Sequence, residues 1–235
     1  MKFIATSDIH GDLPNIPECD AVLICGDISP VLIQRNMTSM KDWMTTVFNH
    51  WVNKLPCDKV FLIGGNHDFW MEKATTDDWN QLSSYVTKKL IVLNNEQYDY
   101  NGIIIYGTPE CKWISNAWAY MNDNEELVDK YSKIPSNVDI LMAHEAPAIG
   151  GMNVAHDLQP AREFGSFALA DAIISSKPKY ALCGHIHSGE HNPKNIAGTT
   201  YVNVSYKNEH YSPAYTVFTF EIEPNLTDGD QDTVF

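Results

Sequence analysis

Short apolar runs recur along the chain, and five of them end in residues that can bind a metal ion. Apolar runs of this length, bounded by glycine or polar residues, predict buried β-strands. We place strands at residues 2–7, 20–25, 59–63, 90–93, 103–106, 138–143, 180–183, 200–204 and 214–222. The last two alternate between apolar and polar positions, which predicts an antiparallel ending.

Helical spacing separates several of these runs. Apolar residues three and four positions apart between 38 and 54 predict an amphipathic helix, which Pro56 terminates. Asp77 and Asp78 mark the start of a second helix that runs to about residue 88, and shorter helices are predicted at 125–132 and 168–175. Because helices alternate with strands early and strands dominate late, we predict an α/β domain with one mixed sheet or two stacked sheets and outer helices.

Length and composition indicate a single packed domain over residues 1–235, with a loose acidic tail from about residue 223. The chain has 235 residues, of which 44% are hydrophobic, and no linker-like stretch divides it. No apolar run approaches the ~20 residues that cross a bilayer, so we expect no membrane partner. The first residues read as a strand rather than a secretion signal, which predicts a cytoplasmic protein.

Charge and cysteine content narrow the possible partners. The net charge of −14 argues against stable nucleic-acid binding, which needs a basic surface, but it permits a small phosphate ester beside bound cations. The five cysteines are scattered and odd in number, which indicates reduced thiols. We expect Cys25 and Cys183, which lie inside apolar runs, to be buried small hydrophobic residues.

Nitrogen and oxygen ligands gather at the predicted strand ends. His185 and His187 are two positions apart, so both imidazoles can face one side of an extended segment. Ligand sites in open α/β folds lie at the carboxyl ends of strands. The candidate metal ligands at such ends are Asp8, His10, Asp27, Asn66, His144, His185 and His187.

This ligand set predicts a site with two divalent ions. Donors without thiolate suit Mn²⁺, Fe or Zn²⁺ and disfavour a structural zinc site of the cysteine type. Seven ligands are too many for one ion with an open position, but they suit two ions that share a carboxylate and together activate a water. We expect Mn²⁺, with Fe and Zn²⁺ as alternatives.

For the remaining polar and aromatic candidates, a structural role is as well supported by the sequence as a functional role, or better supported. The irregular stretch 107–122 contains Trp113, Trp118 and Tyr120, which could belong to the core or stack on a ring of a ligand. Asp12 is interpreted as a turn residue. We expect His50 to be structural or on the surface of its helix, and His156, His191 and His210 to lie on the surface or beside the site.

The order of the motifs resembles that of the calcineurin-like metallophosphoesterases. The matching blocks are Asp8-Ile9-His10, Gly26-Asp27, Gly65-Asn66-His67-Asp68, His144 and Gly184-His185-Ile186-His187. The resemblance implies two packed mixed β-sheets flanked by helices, a four-layer αββα fold. It also implies that Asp27 bridges two metal ions, one held by Asp8, His10 and His187 and the other by Asn66, His144 and His185.

By the same resemblance, His67 and Asp68 are the catalytic residues. His67 would contact the phosphate or protonate the leaving oxygen, and Asp68 would be available to orient it. Many relatives carry an acidic residue shortly after Gly-Asp, whereas this chain has Ile28-Ser29-Pro30. That position is not a metal ligand in the family, so the departure concerns the loop.

A narrower resemblance extends to residues 107–109, 138–141 and 199–205. These segments are similar to the small single-domain metallophosphoesterases that include brain-expressed vertebrate members, which implies a phosphodiesterase for a small substrate such as a cyclic nucleotide. Two alternatives stay open. One is a phosphomonoesterase, nucleotide-pyrophosphate hydrolase or protein phosphatase, and the other is a non-catalytic metal-bound scaffold, against which His10 and His67 argue.

Overall fold

The computed structural model describes residues 1–85 and 89–224. The end of the second predicted helix, at 86–88, and most of the predicted acidic tail, at 225–235, lie outside the described residues. The helices are α1 (Met37–Trp43), a π-helical segment (Met44–Phe48), α2 (Asn49–Lys54), α3 (Phe69–Lys73), α4 (Thr76–Tyr85), α5 (Asn124–Tyr131) and α6 (Phe167–Ser176).

The nine predicted strands are present, with the last shortened to residues 218–221, and further strands occur at 96–100, at 194–196 and in the loops. They are β1 (Lys2–Thr6), β2 (Ala21–Cys25), β3 (Lys59–Ile63), β4 (Leu90–Val92), β5 (Glu96–Tyr100), β6 (Ile103–Thr108), β7 (Cys111–Lys112), β8 (Met121–Asn122), β9 (Ile140–Ala143), β10 (Val154–Ala155), β11 (Arg162–Glu163), β12 (Tyr180–Cys183), β13 (Lys194–Ile196), β14 (Thr199–Asn203) and β15 (Phe218–Glu221).

Two large mixed sheets organise these strands. The first has the order β15-β1-β2-β3-β4, and the second has the order β13-β14-β12-β9-β6-β5. In the first, β1 to β4 are parallel and only β15 runs antiparallel. In the second, β14, β12, β9 and β6 are parallel between antiparallel edge strands β13 and β5. The carboxyl ends of the parallel strands therefore meet at a common edge.

The predicted antiparallel ending is only partly correct. β14 does not pair with β15: it runs parallel to β12, while β15 lies antiparallel to β1 in the other sheet. Residues 201–204 are buried on both faces of the sheet, so their alternating pattern reflects neither an exposed face nor the direction of the neighbouring strand.

The sheets pack face to face, and helices cover their outer faces. Side chains alternate between the faces of each strand, so Phe3 and Ala5 of β1 enter the core between the sheets while Ile4 points outward. The outward face of the first sheet packs on Met40, Phe48 and other residues of the helical segment 37–54. The outward face of the second sheet packs on α5 and α6. The four-layer αββα arrangement predicted from the sequence is confirmed.

The helices add two details to this arrangement. The predicted helix at 38–54 is continuous as a helical segment, but its middle turn, residues 44–48, is π-helical and buries Met44 and Phe48. In residues 1–85 and 89–224, no helix is long and apolar enough to cross a lipid bilayer.

Candidate metal centre

All seven predicted ligands lie together at the common edge of the two sheets. Each follows the carboxyl end of a parallel strand, β1, β2, β3, β9 or β12. Parallel strands end at the same side of a sheet, so residues far apart in sequence become neighbours there. The residues brought together are Asp8, His10, Asp27, Asn66, His144, His185 and His187.

The backbone at this edge is strained. Asp8, His10, Asp27 and His185 have φ angles of 53°, 40°, 53° and 68°. This left-handed conformation is uncommon for residues with a side chain, and it persists only where the surrounding structure imposes it. The turn after each strand thereby aims its side chain at the shared centre.

Two glycines allow the strand ends to approach. A Cβ atom at Gly65 would collide with the Asp27 carboxylate, and one at Gly184 would collide with Ser7 Oγ and the Asp8 carboxylate. These positions therefore require glycine because of close approach, and not only because they lie in turns.

The first group of ligand atoms comes from Asp8, His10 and His187, all within 4.8 Å of one another. His187 Nε2 lies 3.1 Å from Asp8 Oδ1, and His187 Nδ1 lies 2.8 Å from the Asn208 carbonyl oxygen. A carbonyl oxygen only accepts hydrogen bonds, so His187 Nδ1 carries the proton and donates it. In the neutral ring, Nε2 then presents its lone pair to the centre, as metal ligation requires.

The second group is built around Asn66. Its Oδ1 lies 3.0 Å from His144 Nε2 and 2.8 Å from His185 Nδ1. His144 Nδ1 donates to the Cys25 carbonyl oxygen at 2.8 Å, which directs His144 Nε2 toward the centre.

Asp27 lies between the two groups. Its Oδ2 is 3.4 Å from His144 Nε2 and 3.8 Å from His10 Nε2. Its Oδ1 accepts a hydrogen bond of 2.8 Å from the His67 backbone N–H. One carboxylate thus faces ligands of both groups, as a bridging ligand would.

His10 shows that the donor set suits a cation. Its side chain is 0% exposed, yet neither ring nitrogen has a hydrogen-bond partner among the described residues. Buried polar atoms are normally satisfied, so such orphaned atoms need an explanation. A divalent ion held with the neighbouring carboxylates of Asp8 and Asp27 would supply a partner for one of the two ring nitrogens.

The pKa values divide the histidines into two kinds. Burial opposes the charged form of His144 and His187, but the Asp27 carboxylate beside His144 and the Asp8 carboxylate beside His187 outweigh it and raise these pKa values to about 10 and about 9. Burial dominates at His10 and His185 and lowers the pKa of each to about 4. The centre therefore favours positive charge near the carboxylates while two imidazoles stay neutral.

The two predicted catalytic residues have different surroundings. His67 is buried with its Nε2 4.0 Å from Asp27 Oδ2, and its Nδ1 lies 2.5 Å from Gln34 Oε1. Asp68 accepts hydrogen bonds from Ser29 N, Ser29 Oγ and Gly65 N at 3.0, 2.6 and 2.9 Å. Burial and the nearby Asp27 raise the pKa of Asp68 to about 6. Asp68 thus ties the β2 and β3 loops together, while Gln34 contacts the His67 ring.

Sequence reasoning missed several residues of the site. Asn208 and Gln34 bind histidine ring nitrogens, and Ser205 Oγ donates to Asp8 Oδ2 at 2.8 Å. The Tyr211 ring covers His10 at 4.8 Å between ring centroids. Gln34, Asn208 and Tyr211 come from loops without a motif, and the similarity of segment 199–205 did not single out Ser205, so only tertiary packing reveals these residues.

The aromatic stretch splits between the two interpretations. Trp113 is 54% exposed and lines a cavity, whereas Trp118 packs on the His67 ring at 4.6 Å between centroids. Tyr120 is half-buried against the helix-covered face of the first sheet. One aromatic residue thus belongs to the core, one touches a predicted catalytic residue and one is available to a ligand.

The other histidines and Asp12 lie where the sequence predicts. His191 Nε2 lies 2.9 Å from the His187 carbonyl oxygen, which places it beside the site. The Asp12 backbone closes a turn by donating to the Ile9 carbonyl oxygen at 2.8 Å. Exposed positions are occupied by His50, His156 and His210.

Comparison with known proteins identifies the family. The family model for calcineurin-like phosphoesterases matches residues 1–189, so the chain belongs to this family. The resemblance in the motifs is thereby confirmed.

Relatives and solved structures agree with this assignment. The UPF0046 protein C25E10.12 of Caenorhabditis elegans is 26% identical over 94% of this chain and 81% of the relative. The human metallophosphoesterase domain-containing protein 1 is 26% identical over 90% of this chain and 68% of its own length. The phosphopantetheinyl hydrolase PptH of Mycobacterium tuberculosis has a similar fold, with a TM-score of 0.54 at 12% identity over 97% of this chain and 98% of that chain.

Proposed function

We propose that the chain hydrolyses phosphodiester bonds of a small substrate with two divalent ions, Mn²⁺ being the preferred pair. The family and the clustered ligands support a metal-dependent phosphoester hydrolase. The observation that carries the proposal is the position of Asp27, whose carboxylate faces histidines of both ligand groups. A shared carboxylate between two N/O donor groups is the arrangement that two-metal hydrolysis uses.

The residues of the chain have distinct roles in this proposal. Asp8, His10 and His187 hold one ion, and Asn66, His144 and His185 hold the other. When bound, such ions polarise phosphoryl oxygens and make a nearby water more acidic. The carbonyl oxygens of Cys25 and Asn208 orient two ligand rings through their Nδ1–H groups.

His67 supplies proton chemistry in this proposal. Its ring is buried beside Asp27 and is covered by Trp118. From this position it can donate a hydrogen bond to a phosphoryl oxygen or a proton to the leaving oxygen. Such general acid catalysis typically contributes 10²–10⁴-fold to the rate.

Two adjoining cavities support a diester rather than a monoester. One, of about 320 Å³, is lined by Asp27, His67 and His187, and the other, of about 360 Å³, is lined by Trp113 and Phe164. They share His185, Ile186, Ile114 and Phe164. A phosphodiester carries two organic groups, so a phosphate at the centre could place one group in each cavity, whereas a monoester would use one.

The second cavity also bears on the alternatives. Its exposed Trp113, Ile114 and Phe164 suit a planar or apolar group, while Lys112, Glu145 and Glu163 supply charged side chains to the same lining. The planar base of a cyclic nucleotide could occupy this cavity. Both of its phosphoester bonds join one nucleoside, however, so the two-cavity argument applies to acyclic diesters. The free state of the five cysteines is consistent with the proposed cytoplasmic location.

A matched pair of chromogenic esters tests the proposal. Bis-p-nitrophenyl phosphate and p-nitrophenyl phosphate have the same leaving group but differ in the second organic group. We expect a higher kcat/KM for the diester, and Trp113→Ala should raise KM for the diester more than for the monoester. Leu32 is exposed and does not line the second cavity, so Leu32→Gln serves as a control. A tenfold preference for the monoester would contradict the proposal. If the diester is preferred, cyclic nucleotides are the next substrates to measure.

A further inference from the structure

The His67 ring has a hydrogen-bond partner, Gln34, that lies outside the sequence motifs. Gln34 Oε1 lies 2.5 Å from His67 Nδ1, and both residues are buried, with 8% and 7% exposure. Gln34 belongs to the loop between β2 and α1, 33 positions earlier in the chain. A contact between two buried polar groups from separate loops restricts both of them.

The loop that carries Gln34 is itself fixed near His67. Ile33 N donates to the Pro30 carbonyl oxygen at 3.0 Å, and Asn36 N donates to the Ile33 carbonyl oxygen at 2.8 Å. The Arg35 guanidinium lies 4.3 Å from the centroid of the Phe69 ring and donates to the Ala117 carbonyl oxygen at 2.6 Å. Gln34 is therefore presented to His67 by a loop with defined anchors on both sides.

The chemistry of the amide determines which nitrogen of His67 faces the centre. An amide oxygen only accepts hydrogen bonds, so Nδ1 carries the proton in this contact. His67 Nε2 then points toward Asp27, at 4.0 Å from its Oδ2. Asp68 does not contact the His67 ring through a hydrogen bond in the described part of the chain, since its carboxylate accepts from Ser29 and Gly65 instead.

We propose that Gln34 is a positioning residue for His67, a role that rests on the proposed hydrolytic function. It holds Nδ1–H and fixes the ring so that Nε2 is the atom presented to the substrate. Gln34 Oε1 contacts Nδ1 at 2.5 Å and Asp27 Oδ2 lies 4.0 Å from Nε2, so the two ring nitrogens face different partners and the ring orientation is defined.

Three variants separate positioning from a general structural role. Gln34→Leu removes the acceptor at similar volume, and Gln34→Glu keeps an acceptor oxygen in the same place. Leu32→Gln is the matched control, because Leu32 lies on the same loop but is 99% exposed. Loss of an orienting partner typically costs about 10–100-fold in activity. We expect this loss in kcat for Gln34→Leu, with KM and metal content within twofold of the starting protein and partial recovery in Gln34→Glu.

Nitrogen-15 NMR of the Zn²⁺-loaded protein provides a readout that does not need turnover. The His67 signals, assigned by their loss in His67→Ala, should show a protonated Nδ1, and Gln34→Leu should abolish this preference. An unchanged nitrogen pattern with unchanged kcat in Gln34→Leu would overturn the role. Equal loss of thermal stability and metal in both Gln34 variants would also overturn it, by showing that Gln34 only supports the fold. If the starting protein hydrolyses no ester, the proposed function fails. The nitrogen pattern still shows whether Gln34 holds the proton on His67 Nδ1.

Discussion

Loading the metal-free protein with divalent ions at neutral pH should release about two protons, from His144 and His187. Their raised pKa values, about 10 and about 9, keep both rings almost fully protonated at pH 7. Each must lose the Nε2 proton before that nitrogen can bind an ion. His10 and His185, with pKa values of about 4, are already neutral and release nothing. Burial opposes the charged form of the Asp8 and Asp27 carboxylates, but His187 beside Asp8 and His144 beside Asp27 lower their pKa values. Both carboxylates are therefore already ionised.

The pH dependence of metal binding follows from the number of protons released. Protons compete with the ions, so raising the pH strengthens metal binding. With two protons released, the product of the two binding constants should rise roughly 100-fold per pH unit between about pH 5 and 8. Calorimetric titration with Zn²⁺ in buffers of different ionisation enthalpy measures the number of protons directly. His144→Gln should lower it to about one, and a value near zero for the unaltered chain would refute the reasoning.

Two substitutions test the assigned roles within the centre. Asp27→Asn keeps an oxygen that can accept a hydrogen bond from the His67 N–H but removes the shared negative charge, so metal occupancy of both sites and hydrolysis should be lost. Cys25→Ser, the control, should cost stability at most. Wild-type turnover in Asp27→Asn would exclude a bridging role. His67→Ala should leave metal content unchanged and lower kcat for an alkyl diester about 10²–10⁴-fold. The loss of kcat should be smaller for bis-p-nitrophenyl phosphate, because its leaving group needs little protonation. Loss of a metal ion in this variant would make His67 a ligand instead.

That the seven candidate ligands lie together could be predicted from the sequence, because each follows a strand. A buried apolar run fixes where a strand ends, and the fold brings the ends of parallel strands to one edge. Asp8, Asp27 and His144 could therefore be placed near one another without coordinates. The left-handed backbone at Asp8 and Asp27 could not be predicted, because it depends on how the two strand ends meet.

The residues that support the ligands were not predictable from motifs or periodicity. Gln34 and Asn208 lie in loops whose positions are set by long-range packing, and each contributes a single oxygen. The sequence did indicate an unusual loop at Ile28-Ser29-Pro30, and Ser29 donates there to Asp68 rather than providing a carboxylate. The helix α3 was also missed, because its five residues are too few to show a period. Strand β5 was missed although Tyr98 and Tyr100 alternate with polar residues.

The central claim is that one chain holds two divalent ions around Asp27. Elemental analysis after Mn²⁺ loading and removal of free metal tests it most directly, with hydrolysis of bis-p-nitrophenyl phosphate measured on the same sample. The ligand groups around Asp8 and Asn66 predict a value approaching two ions per chain, with activity rising as the second ion binds. Full activity with at most one ion per chain would contradict the two-metal centre.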